Sequence, residues 1–364
     1  MTGSWFVIAA CEEDKGMGTT RVAQWATGVT GKLALRAVID DPDLELVGVR
    51  VYDPDKVGQD AGALVDRPVT GVISTESRET IIASRPDIVL YMGNVERHGE
   101  ACVEDIVELL SAGIDVVSTG SSFIDTYAYN PAWADRLEQA CQKGNATFLG
   151  LGIYPGFYGE AIAPVLSRLS YRCDTITVRE ALDYSGYNSP VMLFDVMGYG
   201  KPAAYETPLG GDRPSPFAGT ATVLAKALGL KVDSVSAFRE VALTSREIEV
   251  LAGKVPAGTV GAIRFGAKAD CGEVTISVEH VTWLAPDVKP EWSQRRGYEI
   301  EFDGAPSMRL QLLLGIKGED HTDMGCLATA MHAVHAIPVV LAATPGVKDL
   351  ADLHAFTGKI VVTV

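Results

Sequence analysis

Residues Ala26-Thr27-Gly28-Val29-Thr30-Gly31 form a small-residue turn whose spacing suits it to hold an anion. An apolar strand runs into it from Arg21, and Lys32 to Val38 follows with the pattern of a helix. Gly28 would let the backbone approach a pyrophosphate, and Gly31 would let the helix pack close to its strand. The unpaired N–H groups at the helix start, with the positive end of its dipole, supply the complementary charge. The run is A-x-G-x-x-G, one glycine short of the dinucleotide fingerprint G-x-G-x-x-G. A second apolar strand, Glu45 to Val51, leads to Asp53, where an acidic side chain would meet a ribose. Asp53 favours a free 2′-hydroxyl and hence NAD, whereas Arg50 or Lys56 could meet a 2′-phosphate and favour NADP. Both signs are present, so the cofactor expected is NAD(P). The competing reading is a strand-to-helix turn that binds nothing.

Hydride transfer is the nicotinamide's own chemistry. The protein must place it against a substrate carbon, exclude water and manage one proton. In an open α/β sheet that work falls to loops beyond the carboxyl ends of the strands. Here they are Gly93-Asn94-Val95-Glu96-Arg97-His98, Ser118–Phe123 and Gly152–Phe157. Gly93 and Asn94 are expected at the cofactor. Thr119, Gly120 and Ser121 suit a flat ring lying close to backbone, and Tyr154 could pack on the nicotinamide. The candidate catalytic groups are Glu96, His98, Asp183 and Tyr184. Glu96 either compensates the dipole of a helix start or reaches the site, where a carboxylate would stabilise a cation forming at the reacting carbon. His98 reads as readily as a surface residue at a helix start, and Asp183 and Tyr184 follow a strand that could face either way. His321, His332 and His335 cluster in sequence without an acidic or cysteine ligand at suitable spacing, so they read as core or interface histidines and no metal is expected.

These residues need a scaffold, and the pattern from Thr20 to Gly152 supplies one. Apolar strands at Val22–Ala26, Leu46–Tyr52, Ile88–Met92, Asp115–Ser118 and Thr147–Leu151 alternate with helices at Lys32–Asp40, Glu100–Ala112 and Ala132–Lys143. That alternation predicts a parallel sheet covered on both faces. Gly113 and Gly144 are suited to end the latter two helices, and Asn130-Pro131 to begin the last. Beyond Gly152 the stretches Thr175–Leu182, Ala262–Lys268, Glu273–Trp283, Tyr298–Phe302 and Ser307–Leu314 alternate apolar and polar residues, as a largely antiparallel sheet does. Pro202–Pro216, Ala252–Gly261 and Pro286–Pro290 read as connectors, and Cys326–Ala343 as helical with a kink at Pro338. The fold expected is α/β, a Rossmann-type parallel sheet domain plus an α+β domain with a mostly antiparallel sheet. Residues 20–152 with 326–364 would bind the dinucleotide, 153–325 would bind substrate and dimerise, and 1–19 would be an extension outside the core.

The chain has 364 residues, 47% of them hydrophobic, which is ample for two packed domains. Its net charge of −16 carries no offsetting basic run and argues against nucleic acid or a membrane surface as partner. The apolar run Trp5 to Cys11 is too short to span a bilayer, and residues 1–16 are expected to be dispensable. Six scattered cysteines without a CxxC pair read as reduced thiols of a cytoplasmic protein. A small-molecule substrate and a homodimer are the partners expected.

Several stretches together resemble the dihydrodipicolinate reductase-like superfamily: the A-T-G-V-T-G turn, Gly58-Gln59-Asp60-Ala61-Gly62, and Ser118-Thr119-Gly120-Ser121-Ser122-Phe123. Within it the chain is most similar to the branch of 2,4-diaminopentanoate dehydrogenase and the native NAD(P)-dependent amine dehydrogenases. Gly152-Ile153-Tyr154-Pro155-Gly156-Phe157, Glu279-His280-Val281 and Ala328-Thr329-Ala330-Met331 running into Ala336-Ile337-Pro338 carry that likeness. The resemblance implies an NAD(P)-dependent oxidoreductase acting on a C=O, C=N or C–NH2 carbon. A narrower alternative is an amine dehydrogenase proper, and a different class is a non-catalytic dinucleotide-binding protein. The His-His motif and Lys-Asp-Ala-Pro-Ser-Gly loop of the reductase are absent from Glu180–Tyr187, which argues against lysine-biosynthetic activity. The amine-oxidising branch carries acidic residues where this chain has Ser121-Ser122. Another carboxylate must then serve, with Glu96 best placed and Asp183 opposing it.

Overall fold

The strand segments 88–91 and 147–150 are buried at every residue, the signature of strands covered on both faces. In the computed structural model, which describes residues 19–187, 189–207, 215–285, 287–292 and 294–359, they lie inside a six-stranded sheet. Its strands are β1 (Thr20–Trp25), β2 (Leu44–Arg50), β3 (Ile88–Tyr91), β4 (Asp115–Ser118), β5 (Thr147–Gly150) and, from the far end of the chain, β15 (Gly346–Lys348). The order is β15-β5-β4-β3-β1-β2, and every pairing is parallel. Among the helices, α1 (Val29–Asp40) packs on one face with α8 (His321–His335) and α9 (Ile337–Leu341), around Val38, Leu90, Ala333 and Ile337. On the other face α3 (Val95–Ser111) and α5 (Pro131–Gly144) enclose Val89, Ile106, Leu137 and Phe148. The short helices α2 (Arg78–Ala83) and α4 (Thr126–Tyr129) complete this half. Asn130 caps α5 ahead of Pro131 as expected, its Oδ1 accepting from the N–H groups of Ala132 and Trp133.

The second sheet has seven strands: β6 (Arg172–Asp183), β7 (Ser234–Thr244), β10 (Val260–Cys271), β11 (Val274–Trp283), β12 (Val288–Lys289), β13 (Gly297–Ala305) and β14 (Met308–Leu312). They run in the order β12-β7-β10-β11-β6-β13-β14, antiparallel throughout except where β6 lies parallel to β11. Residues two apart share a face, so Ile176 and Val178, Ile276 and Val278, and Ile300 and Phe302 point together at α7 (Pro216–Ala227). A hairpin of β8 (Ile248–Val250) and β9 (Gly253–Val255) stands apart, and α6 (Ala163–Ser167) follows a wide turn at Ile153–Ile162 whose backbone is not helical at Tyr154, Pro155 and Gly156.

The fold class is the one expected, an all-parallel Rossmann-type sheet beside a mostly antiparallel one. Three details differ. The stretches read as connectors contain β12 and β9, with β8 just before β9 in a segment given no element, and Pro216 begins α7 behind its Ser215 cap. β7 falls in a segment given no element. Pro338 does not kink one helix but stands in the first turn of a separate one, α9, because a prolyl ring is tolerated there and not mid-helix. Residues His321–Leu341 are apolar and long enough to cross a membrane, yet α8 and α9 pack on α1 through the core just described. Residues 1–18 lie outside the described part of the chain, and with them the expectation for 1–16.

Candidate functional site

The phosphate turn is built by β1 and held from beneath. Gln24 is fully buried, and its Nε2 donates to the carbonyls of Trp25 and Ala26. Ala26 takes φ +71°, the left-handed conformation for which the fingerprint ordinarily provides its first glycine. A Cβ on Gly31 would stand 2.2 Å from the Ala26 carbonyl oxygen, so this glycine sets how closely α1 approaches β1. A Cβ on Gly28, by contrast, would meet nothing within 4 Å. Gly28 is the N-cap residue of α1, and no side chain caps the N–H groups there. Thr27 and Gly28 open on a cleft of about 500 Å³ that also takes in Arg50, Asp53, Lys56 and Asn94. An open glycine, a bare helix start and a cleft beyond the β2 end fit a dinucleotide, with Gly28 to Gly31 at the pyrophosphate and Arg50 to Lys56 at the adenosine ribose.

The other expected residues fall into separate groups. Asn94 caps α3 by accepting from the Arg97 N–H at 3.0 Å. Two residues on, in the first turn of the helix, Glu96 Oε1 accepts from the backbone N–H of Ser121 at 3.1 Å and from its hydroxyl at 2.7 Å. A carboxylate is thus delivered in space to the loop where the sequence has serines. Gly93 and Gly120 are held by packing, since a Cβ would meet the Tyr91 ring at 2.8 Å and Val95 Cγ1 at 2.5 Å respectively. Thr119 continues from β4, its N–H donating to the Tyr91 carbonyl at 3.3 Å. His98 lines the cleft with Arg50 and Asp53, at the adenosine end and away from the second sheet. Asp183 is exposed and accepts from the Ser185 N–H at 2.9 Å, shaping the turn after β6. Tyr154 turns its hydroxyl into the second sheet, donating to the carbonyls of Val178 and Glu279.

Tyr184 and Tyr154 lie in a second pocket of about 220 Å³, which also takes in Thr30 at the start of α1 and Cys326 of α8. Its floor is made by Glu180, His280 and Tyr298, which belong to a row across four strands. Phe265 pairs with His280, His280 with Glu180, and Glu180 with Tyr298. His280 Nδ1 and Glu180 Oε2 are 2.8 Å apart, with side chains only 11% and 13% exposed. Burial, and then the Glu180 charge, push the Tyr298 and Tyr184 phenols far above their ordinary pKa, so both stay protonated hydroxyl groups. Burial lowers the pKa of His321, which is 3% exposed with neither ring nitrogen hydrogen-bonded. Among the described residues no group of three or more His, Cys, Asp and Glu is arranged to hold a metal.

Glu180 and His280 were not among the residues expected here, although their signal is in the sequence. Glu180 continues the buried register of Ile176 and Val178, and His280 that of Ile276 and Val278. A charge that breaks into an apolar register at the end of a strand is costly unless paired or used.

Residues 164–361 match the family model of the 2,4-diaminopentanoate dehydrogenase C-terminal domain. A protein of Streptomyces virginiae named amine dehydrogenase is 31% identical over 341 residues, covering 90% of this chain and 94% of that protein. Among solved structures, the amine dehydrogenase of Mycobacterium smegmatis superposes with a TM-score of 0.73 at 20% identity, over 93% of this chain and 97% of that one. GenD2 of gentamicin A biosynthesis, solved in complex with NAD, gives 0.53 at 14% identity over 92% and 90%. Biliverdin reductase of Synechocystis, solved with biliverdin and NADP+, gives 0.51 at 15% identity over 81% and 80%.

Proposed function

The chain belongs to the 2,4-diaminopentanoate dehydrogenase C-terminal domain family, and from that membership we propose that it is an amine dehydrogenase proper. Membership makes it an NAD(P)-dependent oxidoreductase of an amine- or carbonyl-bearing carbon. The narrower reading is reductive amination of a small ketone or aldehyde with ammonia, and the reverse. The observation that carries it is the buried Glu180–His280 pair beside the start of α1.

The cofactor, when bound, supplies or accepts the hydride. Everything else falls to the chain. The start of α1 binds the pyrophosphate, and the open side of Gly28 admits it. Glu180, in a site from which burial excludes most water, holds a negative charge where an iminium carbon would be positive. His280 fixes that carboxylate through Nδ1 and is the side chain placed to pass a proton to or from the nitrogen. Tyr298 and Tyr184 remain hydroxyl donors and line the pocket against bulk water. Glu96, carried on Ser121, is a second candidate carboxylate from the side of the first sheet, whereas Asp183, exposed and accepting from the Ser185 N–H, lies outside the lining of the pocket.

On this reading residues 20–152 with 326–364 form the cofactor-binding unit and 153–325 the substrate-binding and dimerising unit. The sheet face opposite α7 carries Arg179 paired to Glu279 and Glu299, Arg264 to Glu240 and Arg309 to Glu301, and the edge of the sheet exposes Leu310 and Leu312, which share the α7 side with Ile300 and Tyr298, and Leu313 just beyond β14. A polar face with an apolar margin suits pairing of two copies about a two-fold axis. A light-scattering mass near the 38.7 kDa of one chain would refute the dimer. The five described cysteines are free thiols, which fits a reducing cytoplasm.

The test of function is a carbonyl screen with NADH and NADPH, run with and without ammonia. Turnover that requires ammonia supports the reading. Equal turnover without ammonia would make the protein a carbonyl reductase and reject it.

A further inference from the structure

We infer that the cleft beyond β2 is a 2′-phosphate site built around Arg50, so that the chain takes NADP(H) in preference to NAD(H). The inference rests on the dinucleotide reading and deepens it.

Arg50 is the last residue of β2, and the position selects between the two cofactors in folds of this kind. Its guanidinium lies between two aromatic rings, with Cζ 4.5 Å from the Trp25 centroid and 4.3 Å from that of Tyr52. The rings are fixed in turn, because Trp25 Nε1 donates to the Tyr52 hydroxyl at 3.0 Å and that hydroxyl to Asp105 at 3.2 Å. Rings that cover both faces of a guanidinium leave its donors to act within its plane, the geometry that suits phosphate oxygens. Those donors are unspent. Nε and Nη1 are buried without a hydrogen-bond partner, and no carboxylate stands within ion-pair distance of Arg50 among the described residues.

The neighbouring charges are already matched. Asp53, the acidic residue that would select a free ribose, accepts from the Asp55 N–H at 3.1 Å and lies 3.9 Å from Lys56 Nζ. Lys56 also donates to the Thr27 carbonyl at 3.1 Å. Asp105, buried at the back of the cleft, takes Arg78 at 3.0 Å and the hydroxyls of Tyr52 and Tyr91. Glu79, whose pKa is lowered first by its own backbone N–H and by the Ser77 hydroxyl at 2.8 Å, and only lastly by the Arg50 charge, lies at the protein surface. In a chain of net charge −16, the cleft therefore retains one unmatched positive group. A dianionic phosphate monoester is the ligand that uses it, and NAD offers only a hydroxyl there.

Calorimetric titration of the full chain with NADP+, NAD+, 2′,5′-ADP and 5′-AMP tests this without turnover. NADP+ should bind about tenfold or more tightly than NAD+, and 2′,5′-ADP than 5′-AMP, as a charge-assisted bidentate contact allows. Arg50→Gln should bring the ratio of NADP+ to NAD+ affinity close to one, and Arg50→Lys should keep part of the preference. NAD+ binding as tightly as NADP+ overturns the inference. So does an Arg50→Gln protein that weakens for both nucleotides alike, since Arg50 would then serve only to space Trp25 and Tyr52. Failure of all four ligands to bind the wild-type chain rejects the dinucleotide reading itself.

Discussion

Gly28 and Gly31 stand three residues apart and should respond oppositely to an added side chain. Gly28→Val places its methyl groups in the open cleft, so the fold should survive while affinity for dinucleotide falls about tenfold or more. Gly31→Ala forces a methyl against the Ala26 carbonyl, so it should cost about 1–3 kcal/mol of stability before any binding is measured. Circular dichroism melts beside nucleotide titrations separate the two, and an undiminished affinity in Gly28→Val would remove the turn from the cofactor site. At the reacting end, Glu180→Gln keeps the shape of the side chain and removes its charge. If that charge acts mainly in the transition state, kcat and kcat/KM should fall together by about a hundredfold with nucleotide binding intact. Glu96→Gln is expected to fall as far only if the carboxylate on Ser121 also faces the forming cation. Near-normal turnover in Glu180→Gln with a collapse in Glu96→Gln would move the chemistry to the first sheet.

At the scale of elements, the junction between the sheets holds two titratable groups with opposite effects. Glu160, on the segment after β5, is 4% exposed, and burial followed by the repulsion of Asp349 and Asp125 outweighs its bond from Thr220 to raise its pKa to about 8. A carboxyl raised above its unfolded value of 4.5 favours the fold when protonated, so its contribution is full below that value and is lost as pH rises towards 8. His332 of α8 is lowered by burial to about 4, its Nδ1 3.2 Å from the Gly152 carbonyl. Its contribution is full above 6.5 and is lost as pH falls towards 4. Of these two groups only Glu160 still titrates above pH 6.5. Glu160→Gln should therefore flatten the loss of stability between pH 6.5 and 8 and be the more stable protein at pH 8, by about 1–3 kcal/mol. Parallel pH profiles for the two proteins would mean that Glu160 is ionised in the fold.

The same elements show what a sequence discloses. The first sheet was legible because Ile88–Tyr91 is an apolar run, Thr147–Gly150 has the apolar pair Phe148-Leu149 at its centre, and Asn130-Pro131 signals a helix start by local chemistry. The strands of the second sheet showed by alternation, but the placement of β6 between β11 and β13 depends on pairings a hundred residues apart, and no local pattern encodes them. α7 was missed because Ser215-Pro216 closes a proline-rich run and because Gly219, Val223 and Ala225 are buried in addition to the stripe of Phe217, Thr220, Ala221 and Leu224, which blurs the one-sided pattern of a helix. Part of the candidate site was lost with the topology. Glu180 and His280 become neighbours only through the β6–β11 register, while the phosphate turn, a contiguous segment, could be read directly.

Across the whole molecule, the two sheets are joined by more than the single passage of chain after β5. The C-terminal segment returns to place β15 on the first sheet, and just beyond it Asp349 and Asp352 bind Lys226 of α7 at 2.8 and 2.7 Å. α8 packs on α1 while His321 and Cys326 line the pocket floored by the second sheet. Elements shared this widely should make the halves unfold together. Calorimetry should then show one transition, and saturating nucleotide should move all of it. At about a hundred times the dissociation constant the added stability is about 2.7 kcal/mol, which in a chain of this size is a rise of a few degrees. Lys226→Ala removes a half-exposed tie and should lower the melting temperature slightly without splitting the transition. Two transitions in the wild-type chain, only the first of them displaced by nucleotide, would mean that the cofactor-binding half folds alone and that the pocket at Glu180 is assembled only when the halves dock.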